Sequence, residues 1–262
     1  MTQKPARAQW KDYDWQLIHL PPQRPIEHLA LDEVLLDEVA AGRRTPTLRI
    51  WEWSAASIII GIFQSLKNEV DMAAAERFGV EVVRRISGGG AMFVEPGSAI
   101  TYSIYAPEAL VAGMSFQEAY ACMDAFALEA LGKVGVKAWY QPLNDITSHD
   151  GKIGGAAQAR RRGAMLHHVT MAYDMDAAKM VQVLRIGREK LSDKGTTSAA
   201  KRVDPLRRQT GLPREDIIAC MLDVFRQRHG LRPGALTAAE QATAERLIRE
   251  KFGTPSWLNK VP

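Results

Sequence analysis

The run Val80-Glu81-Val82-Val83-Arg84-Arg85-Ile86-Ser87-Gly88-Gly89-Gly90-Ala91 decides how the chain is read. Val80 to Val83 predicts a strand, and that strand delivers two arginines and then three glycines. Three adjacent glycines remove every Cβ from the backbone and permit positive φ, so main-chain N–H groups can approach an anion closely. Beyond the loop, Ile100, Tyr102 and Ile104 alternate with small or polar residues across Ala99 to Tyr105, which gives the pattern strand, glycine turn, strand. No Gly-Lys-Ser/Thr follows, so the loop is not a P-loop; the glycine spacing and the missing helix exclude a dinucleotide fingerprint. Side chains alternate along a strand, so one of Arg84 and Arg85 is expected to face a ligand while the other is solvated or paired. Taken alone, a triple glycine serves equally well as a tight structural turn.

Working outward, Trp15 to Leu20, Leu48 to Trp53 and Ser57 to Ile62 read as strands. Leu31, Val34, Leu35 and Val39 recur at helical spacing and predict a helix over 26–41, stopped at Gly42. A helix from Asp71 to Phe78 ends at Gly79. Ser115 and Glu118 form a capping box ahead of Phe116, Tyr120, Met123, Ala127 and Leu131, with Gly132 expected as the stop. Val136 to Tyr140, Lys152 to Ala156 and Met165 to Tyr173 supply further strands. Helices are then expected over 177–184, 213–229 and 237–252, the last two opened by Pro213 and by a Thr237/Glu240 box. Between them, Arg188 to Arg208 reads as a basic loop. Strands first and a helical part from about residue 175 predict a mixed α+β fold, with residues 1–262 forming one large domain, or one domain with a small C-terminal subdomain.

With 46% hydrophobic residues in 262, the chain can bury a large core. No run approaches the ~18 apolar residues of a membrane span, and Met1 to Lys11 has no apolar secretory core, so a cytoplasmic protein is expected. Cys122 and Cys220 have neither metal nor redox spacing and read as buried fillers. A formal net charge of +4 suits anionic ligands or acidic partners but is too small to indicate nucleic acid. The basic clusters Arg160-Arg161-Arg162 and Lys201-Arg202 are either solvated or bind phosphate or an acceptor.

A second constellation is Asn144-Asp145-Ile146, a polar loop Thr147 to Gly151, and Lys152-Ile153-Gly154-Gly155-Ala156. A surface lysine is ordinarily just solvated. Lys152, however, precedes a strand of small residues, a setting that can hold a lysine against a ligand with backbone close behind. Asp145 offers a carboxylate for Mg²⁺, which takes one or two protein carboxylates beside substrate phosphates. Adjacent strand residues face opposite ways, so His167-His168 cannot chelate one ion; one of them is expected to line the pocket or pack in the sheet. His149, beside Asp150, makes no legible triad.

Together these residues resemble the lipoate–protein ligase A family, a branch of the biotin/lipoate ligase superfamily. Arg84 to Ala91 is similar to its arginine and triple-glycine motif, and Asn144-Asp145 with Gly151 to Ala156 to its lysine motif. The resemblance also takes in Leu29-Ala30-Leu31-Asp32, Leu48 to Gln64, His167-His168, the Asp193 to Ser198 loop and Phe252 to Trp257. It implies mixed sheets flanked by helices and an ATP-dependent reaction in two halves. Lipoate or octanoate is converted to an acyl-adenylate with release of pyrophosphate; a lysine of a lipoyl carrier, such as a dehydrogenase E2 lipoyl domain or a glycine-cleavage H protein, then takes the acyl group. By this resemblance Lys152 is catalytic. Arg85, Ser87, Gly88, Gly89, Gly90, Ala91, Met92, Phe93, Asn144, Asp145, Lys152, Gly155 and Ala156 would bind ATP and the acyl-adenylate, with Asp145 on Mg²⁺. The strand around Ile58 to Ile60 and Met92 would contribute the apolar slot. Neither nucleic acid nor membrane is implied.

Two departures stand out. Val94-Glu95 occupy the place of the family's usual His-Asp pair, which leaves Glu95 to take over any such role. The sequence also ends near the close of the catalytic domain, so a separate accessory subunit is an expected partner. The alternatives are an octanoyltransferase acting from acyl carrier protein, a biotin ligase, or a non-catalytic acyl-adenylate-binding protein. The transferase would be expected to carry a cysteine just before Asp145, where this sequence has Asn144.

Overall fold

In a computed structural model, which describes residues 8–185 and 203–262, the described strands form two sheets. The larger combines β1 (Gln16–His19), β2 (Thr47–Trp51), β6 (Ala99–Pro107), β7 (Ala138–Gln141), β8 (Asp145–Ser148), β9 (Gly151–Arg161), β10 (Ala164–Ala172) and β11 (Arg232–Pro233) in the order β11-β1-β2-β6-β10-β9-β8-β7. The smaller places β3 (Ser57–Ile60) between β4 (Glu81–Arg84) and β5 (Met92–Val94). The glycine loop therefore joins β4 and β5 across the end of an intervening strand. The strand following the glycines is the three-residue β5, which the alternation search passed over because it is too short to show a period; Ala99 to Tyr105 belongs to the other sheet.

The α-helices among the described residues are α1 (Pro25–Ala40), α2 (Leu66–Glu69), α3 (Met72–Arg77), α4 (Phe116–Lys133), α5 (Ala177–Val183), α6 (Leu206–Thr210), α7 (Arg214–His229), α8 (Ala238–Leu247) and α9 (Pro255–Leu258). The capping boxes at Ser115/Glu118 and Thr237/Glu240 are both formed. A π-helical turn over Ile248–Phe252 extends α8 to the expected length. Gly132 lies inside α4, and the chain reverses instead at Gly135 with φ +88°. Pro213 stands just before α7, as its N-cap.

Helices α4 and α7 cover one face of the large sheet. Met123, Phe126, Ala127 and Leu131 of α4 meet Ile217, Met221, Val224 and Phe225 of α7 over Tyr102, Ile104 and Ile153. Helix α1 lies on the opposite side, with Leu35, Leu36 and Val39 against Ile18, Tyr105 and Leu166. Its Leu29, Leu31 and Val34 also meet Trp51, Ile59 and Val83, and that shared cluster fastens the small sheet to the large one. No helix among the described residues is long and apolar enough to cross a membrane. The Asp193 to Ser198 loop, Lys201-Arg202 and most of the basic stretch from Arg188 lie outside the described residues.

Candidate active site

A cavity of about 590 Å³ opens between the two sheets. Arg85, Gly90, Ala91, Met92 and Phe93 line it from the small sheet, and Asn144, Asp145, Lys152, Gly155 and Ala156 from the large one. The two sequence motifs, some sixty residues apart, thus meet at one site.

The small-sheet side is built around two arginines, neither guanidinium bearing a carboxylate among the described residues. Arg84 is 1% exposed and donates to the carbonyls of Gly61 (2.9 Å), Gln64 (2.7 Å), Leu258 (2.7 Å) and Val261 (3.1 Å). Of the two outcomes expected for the second arginine, solvated or paired, Arg84 is not solvated: its partners are backbone oxygens of the Gly61 to Gln64 turn and of the C-terminal segment. Arg85, 4% exposed, donates to Ile59 O (3.1 Å), Gly88 O (2.5 Å), Gly90 O (2.9 Å) and Ser87 Oγ (3.0 Å). Burial pushes it down to about 10, which leaves it cationic at neutral pH. Of the three glycines only Gly89 has positive φ, +88°. The chain folds over Gly61 so closely that a Cβ there would stand 2.4 Å from Gly89 O.

Ser87, Gly88 and Gly89 do not line the cavity; they support it from behind. Ser87 Oγ lies 2.7 Å from His168 Nε2, and His168 Nδ1 lies 2.9 Å from Asp32 Oδ2. A carboxylate only accepts, so we assign the proton to Nδ1, and Nε2 then accepts from the Ser87 hydroxyl. Burial holds His168 below the ordinary imidazole range although Asp32 pulls it upward. Asp32 also accepts from Tyr105 (2.5 Å) and Ser103 (3.2 Å) and lies 3.7 Å from Arg49. This relay fixes the guanidinium of Arg85 from the far side of the sheet. Asp32 appeared in the sequence only as part of a resemblance; its signal was a carboxylate on the apolar face of α1.

On the large sheet, Asn144 is a lock: its amide donates to Ala156 O (2.5 Å) and its carbonyl accepts from Ala156 N (2.8 Å). The expected loop Thr147 to Gly151 is shorter: Thr147 and Ser148 close β8, His149 and Asp150 make a tight turn, and Gly151 opens β9. Register shifts between Ile146 and Thr147, so that Ile146 opposes Gly154 while Thr147 opposes Lys152. The bulge puts Lys152 on the face of Asp145, Thr147 and Gly155. Lys152 Nζ meets Asp145 Oδ1 at 2.7 Å, with the two side chains 47% and 32% exposed. A Cβ on Gly155 would stand 3.2 Å from that amine, so the glycine leaves room for it. Asp145 is the sole acid among the described lining residues.

The remaining lining is largely apolar, with Trp51, Ala172, Met175, Met180, Val181, Leu184 and Val203 beside the polar Thr101 and Thr170. Sequence reasoning missed the α5 contribution, because Met180, Val181 and Leu184 look like ordinary helix-core residues. Met92 lines the cavity as expected, but Ile58 to Ile60 do not; they are wholly buried in the centre strand of the small sheet. His168 lines the cavity, while His167 turns the other way to Asp124 (2.7 Å). His149 packs edge-on against Trp139. Both cysteines are half-buried, less than a core filler would be, and neither reaches the cavity. Arg160, Arg161 and Arg162 are paired with Glu108, Glu33 and Asp37. No cluster of three or more metal-type side chains occurs among the described residues.

A sequence profile for the lipoyl protein ligase A/B catalytic domain matches residues 24–226, which contain every lining residue of the cavity. The chain belongs to that family. As a member of the lipoyl ligase A/B family it is similar to proteins of both kinds. The octanoyltransferase LipM of Kyrpidia tusciae is 28% identical over 93% of this chain and 97% of that protein. A probable lipoate-protein ligase A of Mycoplasma pneumoniae is 32% identical over 70% of this chain and 52% of that protein. Among solved structures, a bipartite lipoate protein ligase of Thermoplasma acidophilum, described with its E2 lipoyl domain, superposes with a TM-score of 0.82 at 26% identity. That match covers 95% of this chain and 96% of the other. The mixed α/β fold and the lipoate ligase/octanoyltransferase class are thereby shown.

Proposed function

We propose that the chain is an ATP-dependent lipoate–protein ligase. The carrying observation is that Lys152, Asp145 and the arginine–glycine loop line one cavity from which both cysteines are absent. In the first half-reaction a carboxylate oxygen of lipoate or octanoate attacks the α-phosphorus of ATP. The bond to the β-phosphate oxygen breaks, and pyrophosphate leaves. In the second, the neutral amine of an acceptor lysine attacks the acyl carbonyl carbon, AMP leaves, and the amine loses a proton. No covalent enzyme intermediate is needed. Positioning and neutralisation of growing negative charge supply the rate.

Lys152 is the group that meets that charge, first at the α-phosphate and then at the carbonyl oxygen. It can do so only by leaving Asp145, and the freed carboxylate fits the modest protein share of a Mg²⁺ shell. Bound there, Mg²⁺ would neutralise phosphate charge. Arg85 with Gly90 to Phe93 would hold the nucleotide, and the apolar wall from Trp51 to Leu184 the acyl tail. We read residues 1–262 as one catalytic unit working in the cytoplasm on a lipoyl-carrier protein. The bipartite make-up of the Thermoplasma relative supports a separate accessory subunit as a second partner.

The rival reading is the octanoyltransferase one, favoured by the LipM relatives. Such chemistry needs an accessible thiolate. Cys220 lies in α7 with its Sγ 3.7 Å from Ala130 O, and burial raises its thiol, the wrong direction. Pyrophosphate exchange with ATP, tested with lipoate, octanoate and biotin, separates the readings. Exchange with lipoate that disappears in Lys152→Ala is expected; absence of exchange together with an acyl-enzyme formed from acyl carrier protein would refute the ligase.

A further inference from the structure

The turn after β5 ties together two elements that line the cavity. Met92 and Phe93 of β5 form one part of the lining, and Met180 and Val181 of α5, with Leu184 just beyond, form another. Glu95 follows β5 directly, and its Oε1 lies 2.5 Å from Lys179 Nζ on α5. The turn that carries Glu95 is stiff. Ser98 Oγ accepts from Glu95 N (2.8 Å) and donates to Glu95 O (2.9 Å), while Ser98 O accepts from Tyr173 N (2.9 Å) and Asp174 N (3.0 Å) on the approach to α5. The far end of α5 is tied elsewhere: Val183 O accepts from Asp71 N (2.9 Å), and Arg185 N donates to Glu69 O (2.9 Å). A seven-residue helix is too short to hold its own position. Its place over the cavity therefore depends on these ties and on Val183 buried against Ala74 and Ala75.

Neither Glu95 nor Lys179 lines the cavity. The pair nonetheless links the strand and the helix that carry those lining residues, with its side chains only 21% and 27% exposed. We propose that the Glu95–Lys179 ion pair sets the width of the acyl slot, making both residues positioning residues that determine which acyl chains this enzyme accepts. The proposal rests on the ligase reading for its substrate, a carboxylic acid with an apolar tail. Breaking the pair would free α5 to move away from β5 and admit a bulkier chain.

The test uses the full chain as wild type, Glu95→Gln, Lys179→Met, and the charge-reversed double variant Glu95→Lys with Lys179→Glu. Two readouts are taken: amide hydrogen exchange over residues 180–184, and kcat/KM for octanoate against a ring-substituted octanoate with ATP saturating. In each single variant those amides should exchange about two- to fivefold faster, the range a partly exposed ion pair commands. The preference should shift by a similar factor toward the bulkier acid, with KM for ATP unchanged. The reversed pair should restore both. Unchanged exchange in both single variants, or a reversed pair that behaves like the singles, overturns the proposal. If the wild type adenylates no acid at all while the single variants still loosen those amides and the reversal restores them, the ligase assignment falls and the positioning of α5 stands.

Discussion

The two sides of the cavity carry positive charge in opposite ways. On the small sheet, Arg84 and Arg85 are almost wholly buried, and backbone carbonyls hold them from several directions. On the large sheet, Lys152 is half-exposed and rests on a single carboxylate. The first arrangement is fixed before any ligand arrives; the second can exchange one anionic partner for another. Nucleotide phosphate would thus meet a rigid loop, while the charge that must follow the reaction from phosphate to carbonyl sits on a flexible stem. The difference predicts that damage on the two sides will look different, in stability on one and in rate on the other.

The largest effect is expected at Lys152. Lys152→Ala should slow adenylate formation by about 10²- to 10³-fold, the usual cost of losing one charge-stabilising donor. Its unfolding free energy from chemical denaturation should stay within about 0.5 kcal/mol of wild type, because the side chain is half-exposed. Arg85→Met should reverse that profile in stability, costing about 2–4 kcal/mol as the carbonyls of Ile59, Gly88 and Gly90 lose their donor inside the protein. A fall in rate at Lys152 accompanied by equal unfolding would erase the contrast between the two sides.

The glycines sharpen the same contrast. Gly61→Ala would drive a Cβ to 2.4 Å from the backbone oxygen of Gly89, which cannot retreat without moving the loop. A loss of about 1–3 kcal/mol is expected in equilibrium unfolding. Gly155→Ala meets only the mobile end of Lys152, at 3.2 Å. It should fold normally and lose rate, which steady-state kinetics beside a melting curve would show.

The smallest effect concerns pH. Burial lowers His28, His168 and His229 below the ordinary imidazole range near 6.5, the last to about 4. The unfolded chain therefore takes up protons first as pH falls, so stability is full above about 6.5 and declines below it. Each imidazole contributes at most about 1.4 kcal/mol per pH unit. Glu52 and Glu240, held below 4.5, act at lower pH, so a decline between pH 6.5 and 5 in a denaturation series belongs to the histidines. A flat profile in that window would mean that the relay behind Arg85 is not locked in its neutral form.

Much of this was legible in the chain itself. Periodicity and caps placed α1, α4 and α8 within a few residues, and glycine chemistry marked the loop that binds Arg85. What escaped was set by pairing between distant segments. Nothing local announces that Ile153 is bulged, yet the bulge is what puts Lys152 beside Asp145. Nothing local says that β5 pairs with β3 rather than with Ala99 to Tyr105. Nor could helical spacing show that Met180 faces a cavity instead of a core, since both environments ask for the same side chain.

The central claim is that this cavity activates an acid through ATP without using a cysteine. Mass spectrometry of the protein and its bound ligand, after incubation with ATP, Mg²⁺ and octanoate, tests it most directly, on wild type and on the Cys122→Ser/Cys220→Ser double variant. Both should retain octanoyl-AMP and show no covalent mass increase. Absence of octanoyl-AMP from both proteins, with octanoyl-acyl carrier protein octanoylating the wild-type chain but not the cysteine-free variant, would refute ATP-dependent activation.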